Sequence, residues 1–296
     1  IYIYIYIYII YLYIIYYIMY CAPTQDKKLE NTCYSLNKLK KIADLYNKFN
    51  KHNKIVYNAG IKPQELYNLI RTTLNDKCGN NEICWIQQPF VQKSQDPDLL
   101  KYTFRPPKPK GGKYMWLSTT DLDNVMRQYE KAYSNFKFLG ALPIDFSKVW
   151  RHLVYLKYDK LYKEGITKIG VIFNTDPSYK SGEHWMSMFI NLNPNNPNIS
   201  FYDSTVTCPP PKEISDYIKY IKKYEPALQE LWGNKNTIKI NCNNIQHQKK
   251  NSECGTYSLY YITESLRGLT FEEISKKIVR DEEMNKLRDK FYSPAA

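Results

Sequence analysis

Four short apolar runs, Ile169–Phe173, Trp185–Ile190, Ile199–Tyr202 and Thr237–Ile240, do most to limit what this chain can become. Each is as long as a strand, and their β-branched and aromatic residues suit a pleated, buried surface. Between the third and fourth, Pro209, Pro210 and Pro211 stop the chain; a helix comes next with Ile214, Tyr217, Ile218 and Ile221 on one face. Upstream, Ser118 or Thr120 is placed to cap a helix over roughly Asp121–Phe138, with Leu122, Val125, Met126, Tyr129 and Tyr133 on its apolar side. Another helix is expected to start at Cys254 and run to about Leu266, closed by Gly268. Thr270 and Glu273 form a capping box for the next. The economical arrangement is α+β, a central mixed, mostly antiparallel sheet with helices packed around it.

At 296 residues the chain can bury one sizeable core and a second, smaller one. Residues 102–113, YTFRPPKPKGGK, mark the division, since the prolines keep the segment extended and Gly111 and Gly112 let it turn. A boundary there gives a helical unit over 21–110 and a larger domain over 111–296. In the first, Leu36, Leu39, Ile42, Leu45 and Phe49 recur at helical spacing, and a second helix is expected from Pro63 to Leu74. Between Asp26 and Lys54 eight lysines meet three acids, a basic patch that reads equally well as a solvated helix face.

Residues 1–20, IYIYIYIYIIYLYIIYYIMY, match a membrane span in length. Nine of them are tyrosine, which prefers the interface to the hydrocarbon centre, and no basic residue precedes them as in a signal peptide. Strict Ile-Tyr alternation is what a translated ATATAT repeat yields. The segment is therefore expected to lie outside the fold, with a true start near Met19, and no membrane anchor is assigned.

The formal net charge of +13 draws polyanions and leaves electrostatic contact with nucleic acid open, but no zinc-finger spacing or other recognition motif accompanies it. Seven scattered cysteines suit a reducing compartment with at least one free thiol. Cys78 and Cys84 have no second pair or neighbouring histidine to complete a zinc site, so no metal or cofactor is expected.

Chemistry concentrates in His184, Asp203, Gln248 and Cys254. His184 opens one apolar run and Asp203 closes the next, so antiparallel pairing of the two would let the carboxylate fix the imidazole's tautomer and orientation. Cys254 heads an apolar helical run; unpaired N–H groups at a helix N-terminus, together with a neighbouring imidazolium, favour a thiolate. Gln248 can present its amide, beside the Cys254 backbone N–H, to an oxygen on which charge develops. Gly255 would leave room for substrate backbone, and Trp185 either packs in the core or walls the approach to the sulfur. On residue types alone, Cys254 reads as well as a buried structural thiol. Cys242 is a rival nucleophile, although asparagines surround it, and His247 is a rival base. Asn174 and Asp176 are loop formers or substrate contacts.

Taken together, His184-Trp185, Asp203 and Gln248 six residues before Cys254-Gly255 resemble the adenovirus endopeptidase and Ulp-type SUMO-protease group, most closely its African swine fever virus-like branch of polyprotein proteases. The likeness runs through FNTDPSYKSGEHWMSMFI, FYDST, IQHQKKNSECGTYSLYYI, VRDEEMNKLRDKF and MWLSTTDLDNVMRQY, and into the N-terminal unit, which is similar to an arm domain. The resemblance implies a permuted papain-like core, with Cys254 as nucleophile, His184 as general base, Asp203 as third member and Gln248 as oxyanion donor. It implies cleavage after Gly-Gly in viral structural polyproteins during virion maturation, in host cytoplasm at assembly sites and in the virion. Deconjugation of a ubiquitin-like modifier is the alternative, since those tails also end in Gly-Gly; a non-catalytic interaction module is a second. Gly111-Gly112-Lys113 is itself a Gly-Gly-X site; its glycines read first as a hinge and only second as a place for self-cleavage at the Gly112–Lys113 bond.

Overall fold

The computed structural model describes residues 20–23, 32–111 and 114–293. The Ile/Tyr segment up to residue 19 and the Gly112–Lys113 bond lie outside them. The chain divides into two compact units, one holding the described residues up to Lys108 and those from Asp289 onward, the other Pro109–Arg288.

In the first unit, helix α1 (Leu36–Phe49) is capped by Ser35, whose side chain accepts from the Lys38 N–H. Its buried stripe is Leu39, Ile42, Ala43 and Tyr46, so the apolar face is rotated from the expected one and Phe49 is left 48% exposed. Helix α2 (Pro63–Cys78) runs a turn beyond the expected Leu74 and buries Leu66, Ile70 and Leu74 against the same core. Three short helices complete the set, α3 (Glu82–Gln87), α4 (Pro89–Gln92) and α5 (Pro97–Leu100). Trp85 fills the centre and stacks on Tyr34 at 5.3 Å between ring centroids.

The second unit runs through α6 (Thr119–Ala132), β1 (Phe136–Leu142), α7 (Phe146–Val149), a 3-10 turn at Arg151–Tyr155 and α8 (Tyr158–Lys163). It continues with β2 (Lys168–Asn174), β3 (Trp185–Asn191), β4 (Asn198–Tyr202), α9 (Lys212–Lys222), α10 (Glu225–Trp232), β5 (Lys239–Cys242), α11 (Cys254–Arg267) and α12 (Phe271–Lys276), and α13 (Asp281–Phe291) starts in it. The five strands form one mixed sheet in the order β1-β2-β3-β4-β5. Its centre, β2–β3 and β3–β4, pairs antiparallel, and each edge strand pairs parallel with its neighbour. The fold is α+β, as the apolar runs and amphipathic stretches of the chain lead one to expect.

Two elements depart from the sequence reading. The helix starting at Ser118, which forms a capping box with Asp121, ends at Ala132, and Tyr133 is extended. The next segment, Phe136–Leu142, is β1: it lines up with β2 at the edge of the sheet, so its aromatic residues are buried by pairing and not by a longer helix. The last strand lies at Lys239–Cys242, not Thr237–Ile240, set by its parallel register of Ile199 to Ile240 on β4.

The cysteines also differ from expectation. Cys21 pairs with Cys33, Cys78 with Cys84 and Cys208 with Cys242, at Cα separations of 5.1, 5.5 and 6.0 Å, within the reach of a disulfide. The fold brings together cysteines whose scattered spacing shows no framework; Cys254 is the free thiol among the described residues. No helix among the described residues is long and apolar enough to cross a membrane.

The two faces of the sheet carry different side chains. Ile169, Val171, Phe173, Met186, Met188, Ile190, Ile199 and Phe201 face a core shared with Ile214, Tyr217, Ile218 and Ile221 of α9. On the other face, small residues at Gly170, Ser187 and Ser200 let α11 lie close against the strands, and the Tyr261 hydroxyl donates to the Ser200 carbonyl. A Cβ at Gly170 would stand 3.0 Å from the Phe136 ring and 3.1 Å from Ile262, both fully packed. Gly170→Val is expected to destabilise the protein by about 1–3 kcal/mol through overpacking. Thermal unfolding should show this as a fall of several degrees, at roughly 2–4 °C per kcal/mol.

Candidate active site

Strand register assembles the site. In the β3–β4 hairpin Ser187 pairs with Tyr202, so the residues just before β3 and just after β4 meet at one end of the sheet. There the His184 Nε2–H donates to Asp203 Oδ1 at 2.6 Å. The loop leading into β3 is shaped for this. Asn174 Oδ1 accepts from the Asp176 and Glu183 amides, and Gly182, at φ +89°, passes so close to the Asn174 side chain that a Cβ would meet it at 2.8 Å. Asn174 is thus a loop former, and the Thr175 N–H donates to the His184 carbonyl to close the turn.

Asp203 is 1% exposed and held from several sides. Its Oδ1 also accepts from the amide and the hydroxyl of Thr205, each at 2.9 Å. Its peptide is gripped by Asn243, whose Oδ1 accepts the Asp203 N–H at 2.9 Å and whose Nδ2 donates to the Asp203 carbonyl at 2.7 Å. The Asn243 amide thereby continues the parallel β4–β5 ladder by one side-chain step beyond Phe201 and Cys242. Nothing in the sequence signals Asn243, one of several asparagines after β5; Thr205 sits in the FYDST run, which carries no separate mark of its role.

Cys254 is the first residue of α11, a helix buried on nearly every face. No side chain caps it, so the amides of its first turn are not taken by a side-chain acceptor. Cys254 lies near enough to His184 to favour the charged ring, as Asp203 does more strongly. With Nε2 engaged by the carboxylate, Nδ1 is the ring atom left for the sulfur. Burial acts against a charged ring, but the bond to Asp203, with the influence of nearby Cys254, outweighs it and raises His184 to about 9. Burial likewise disfavours the Asp203 carboxylate, and the bond and charge of His184 overcome it, so Asp203 stays below its usual value.

Trp185 and Cys254 share a cavity of about 530 Å³ with Trp116, Leu117, Trp150 and Asp176. The Trp185 indole N–H donates to the Leu117 carbonyl at 2.8 Å, which locks this wall. A Cβ at Gly255 would meet Leu117 at 3.0 Å, so the missing side chain makes room for Leu117, itself a wall of this cavity. Gln248 is 2% exposed; its Oε1 accepts from the Ser204 hydroxyl at 2.7 Å and its Nε2 donates one hydrogen to the Lys250 carbonyl at 2.7 Å.

The rival groups are otherwise engaged. Cys242 is joined to Cys208. His247 is buried against the rings of Tyr202 and Tyr257, with Nε2 bonded to the Ser275 carbonyl, and burial keeps it below its usual value. No cluster of metal-ligating side chains occurs among the described residues.

Comparison with known proteins decides the family. The chain is 34% identical over 289 residues to a protein of Acanthamoeba polyphaga mimivirus named as a thiol protease, covering 92% of each chain. Residues 150–295 match the profile of the Ulp1 protease family, C-terminal catalytic domain. The chain belongs to the Ulp1 protease family. This membership makes it a cysteine protease. It is also 25% identical over 232 residues to a protein of African swine fever virus named as a cysteine protease, covering 72% of this chain and 82% of that protein. The crystal structure of the selenomethionine form of an African swine fever virus protease shares the fold, with a TM-score of 0.64 at 23% identity over 93% of this chain and 96% of that one. The permuted papain-like core of the Ulp1 family thus applies here, with the strand that follows His184 coming before the helix that begins at Cys254.

Replacing Asp203 removes the bond that most favours a charged His184 and leaves burial to act against it. In Asp203→Ala the ring is expected to titrate far below about 9, as tracked by its NMR shifts. Because the folded value lies above the unfolded one near 6.5, the stabilisation from this ring is complete below pH 6.5 and is lost as pH rises through about 9. The gap in melting temperature between wild type and Asp203→Ala should therefore narrow across that window.

Proposed function

We propose that this protease cuts viral structural polyproteins after Gly-Gly by acyl transfer through Cys254, His184 and Asp203. The observation that carries the reading is a single ring, His184, bonded to a buried carboxylate and near enough to the free thiol for that thiol to favour its charged form, beside a cavity lined by the thiol. The Cys254 thiolate attacks the scissile carbonyl carbon, and the oxyanion takes hydrogen bonds from the second Gln248 Nε2 hydrogen and the Cys254 backbone N–H. One such donor contributes about 3 kcal/mol to the transition state. As the C–N bond breaks, His184 gives its Nδ1 proton to the leaving amine, leaving a thioester on Cys254. The neutral ring then takes a proton from water, whose oxygen attacks the thioester, and the thiolate departs as the acid product is released.

Substrate choice depends on the walls beside the sulfur. Trp116, Leu117 and Trp185, the last fixed through its indole N–H, border the cavity where the acyl side of a substrate would lie. A slot between such large groups favours residues without Cβ, in keeping with Gly-Gly. Two relatives of viral origin support a viral polyprotein, processed at assembly sites in host cytoplasm and in the virion. The corresponding protein of another African swine fever virus isolate is named a SUMO-1 cysteine protease, which favours modifier deconjugation as the second reading.

Purified protein should cleave a peptide spanning a Gly-Gly-X junction and leave a SUMO fusion largely intact; cutting the fusion alone would replace the first reading with the second. Cys254→Ala should abolish cleavage, and a Gly→Ala change on the acyl side of the junction should cut kcat/KM by about 100-fold or more, the order of loss a misplaced reacting group brings. The alkaline limb of kcat/KM should fall near pH 9, where His184 loses the proton it must donate.

A further inference from the structure

We infer that Asp281, at the start of α13, is a positioning residue that holds the Gln248 loop in register with the nucleophile helix, an assignment that rests on the mechanism proposed above. Asp281 is 5% exposed and lies far along the chain from Gln248. Its Oδ2 accepts from two consecutive amides, Lys249 N–H and Lys250 N–H, each at 3.0 Å. Its Oδ1 faces the hydroxyl of Tyr257 at 3.0 Å, on the first turn of α11 after Cys254, a hydroxyl also 2.8 Å from the Val279 carbonyl. One carboxylate therefore touches both the loop that carries Gln248 and the helix that carries Cys254.

The grip passes directly to Gln248. The Lys250 peptide is held at its N–H by Asp281 and at its carbonyl by Gln248 Nε2. That second bond uses one amide hydrogen and aims the other. Ser204 fixes the far side of the same amide group through Gln248 Oε1. If the Lys249–Lys250 turn relaxed, Gln248 would lose the acceptor that sets its orientation. A displacement of about 1 Å at a reacting geometry can reduce rate by about 100-fold. The same face of α13 supports the rest of the loop: Asn285 Nδ2 donates to Glu253 Oε1 at 2.6 Å, and Arg288 donates to the Ser252 carbonyl at 2.6 Å. Asp281 is the member of this row that reaches the oxyanion donor.

The test compares acyl transfer with a reaction of the same sulfur that develops no oxyanion. Wild type, Asp281→Asn, Asp281→Ala, Gln248→Ala and the Asp281→Asn/Gln248→Ala pair are assayed on a Gly-Gly-aminocoumarin peptide, and Cys254 is alkylated with chloroacetamide. Asp281→Asn is expected to lower kcat about 10- to 100-fold with KM within about twofold, and to leave the alkylation rate within about twofold. In the Gln248→Ala background the same change should cost less than about twofold more, because its effect runs through that amide. Asp281→Ala should show the larger loss; if it does not fold, Asp281→Asn decides alone. Unchanged kcat in Asp281→Asn, alkylation falling in step with kcat, or losses that multiply in the double variant would each overturn the assignment. Cleavage retained by Cys254→Ala would instead remove the proposed nucleophile, and the role of Asp281 with it.

Discussion

A charged imidazole does not belong in a mostly buried site, and the 2.6 Å bond from His184 to Asp203 is what makes it stable there. Without a partner, burial would drive the ring to its neutral form. With the carboxylate on Nε2 and Cys254 nearby, the charged ring is favoured instead. The same bond fixes which nitrogen faces Cys254, so charge and orientation have one origin. Asp203 must in turn be kept ionised and still while buried, and that requirement explains its surroundings. Thr205 supplies two donors to Oδ1, and Asn243 fastens the peptide on both sides. A buried carboxylate with fewer donors would take up a proton and cease to favour the imidazolium.

Those demands are met by sheet geometry more than by loops. The antiparallel β3–β4 pairing sets the His184–Asp203 separation, since the register of a strand pair with both faces buried cannot slip without exposing its apolar set. Gly170, Ser187 and Ser200 then decide how near α11, and with it Cys254, can approach that pair. Packing density and catalytic distance are thus one problem. A larger side chain on this face would move the sulfur as well as strain the core.

How much of this is legible in the sequence varies with the range of the interaction. The central strands, α9, α11 and the Thr270–Glu273 capping box come from local periodicity and cap chemistry, and the hairpin from the placement of His184 and Asp203 around one turn. Strand β1 is hidden because Phe136–Leu142 continues the apolar run of α6, and only its pairing with β2 identifies it. The packing of Leu117 against Gly255 is hidden because the two are remote in sequence. Asn243 and Asp281 leave no local trace, since each acts on backbone groups far along the chain. The disulfides escape for the same reason: scattered spacing says nothing about which segments fold together.

The segment between β5 and α11 gathers these threads. It begins with Asn243 gripping Asp203, passes through Gln248 and ends at Cys254, so a single connection supplies the carboxylate's support, the buried Gln248 amide and the free thiol. It has no regular structure of its own, and its backbone groups must find partners elsewhere. They do: the Ser204 carbonyl accepts from the His247 and Gln248 amides, Asp281 from those of Lys249 and Lys250, and Arg288 donates to Ser252. An irregular segment satisfied in this way can be as fixed as a strand, because each shift would strand a buried amide at about 1–3 kcal/mol. The polar residues around it are therefore positional constraints. They hold groups from a hairpin, a loop and a helix in fixed relation to one another.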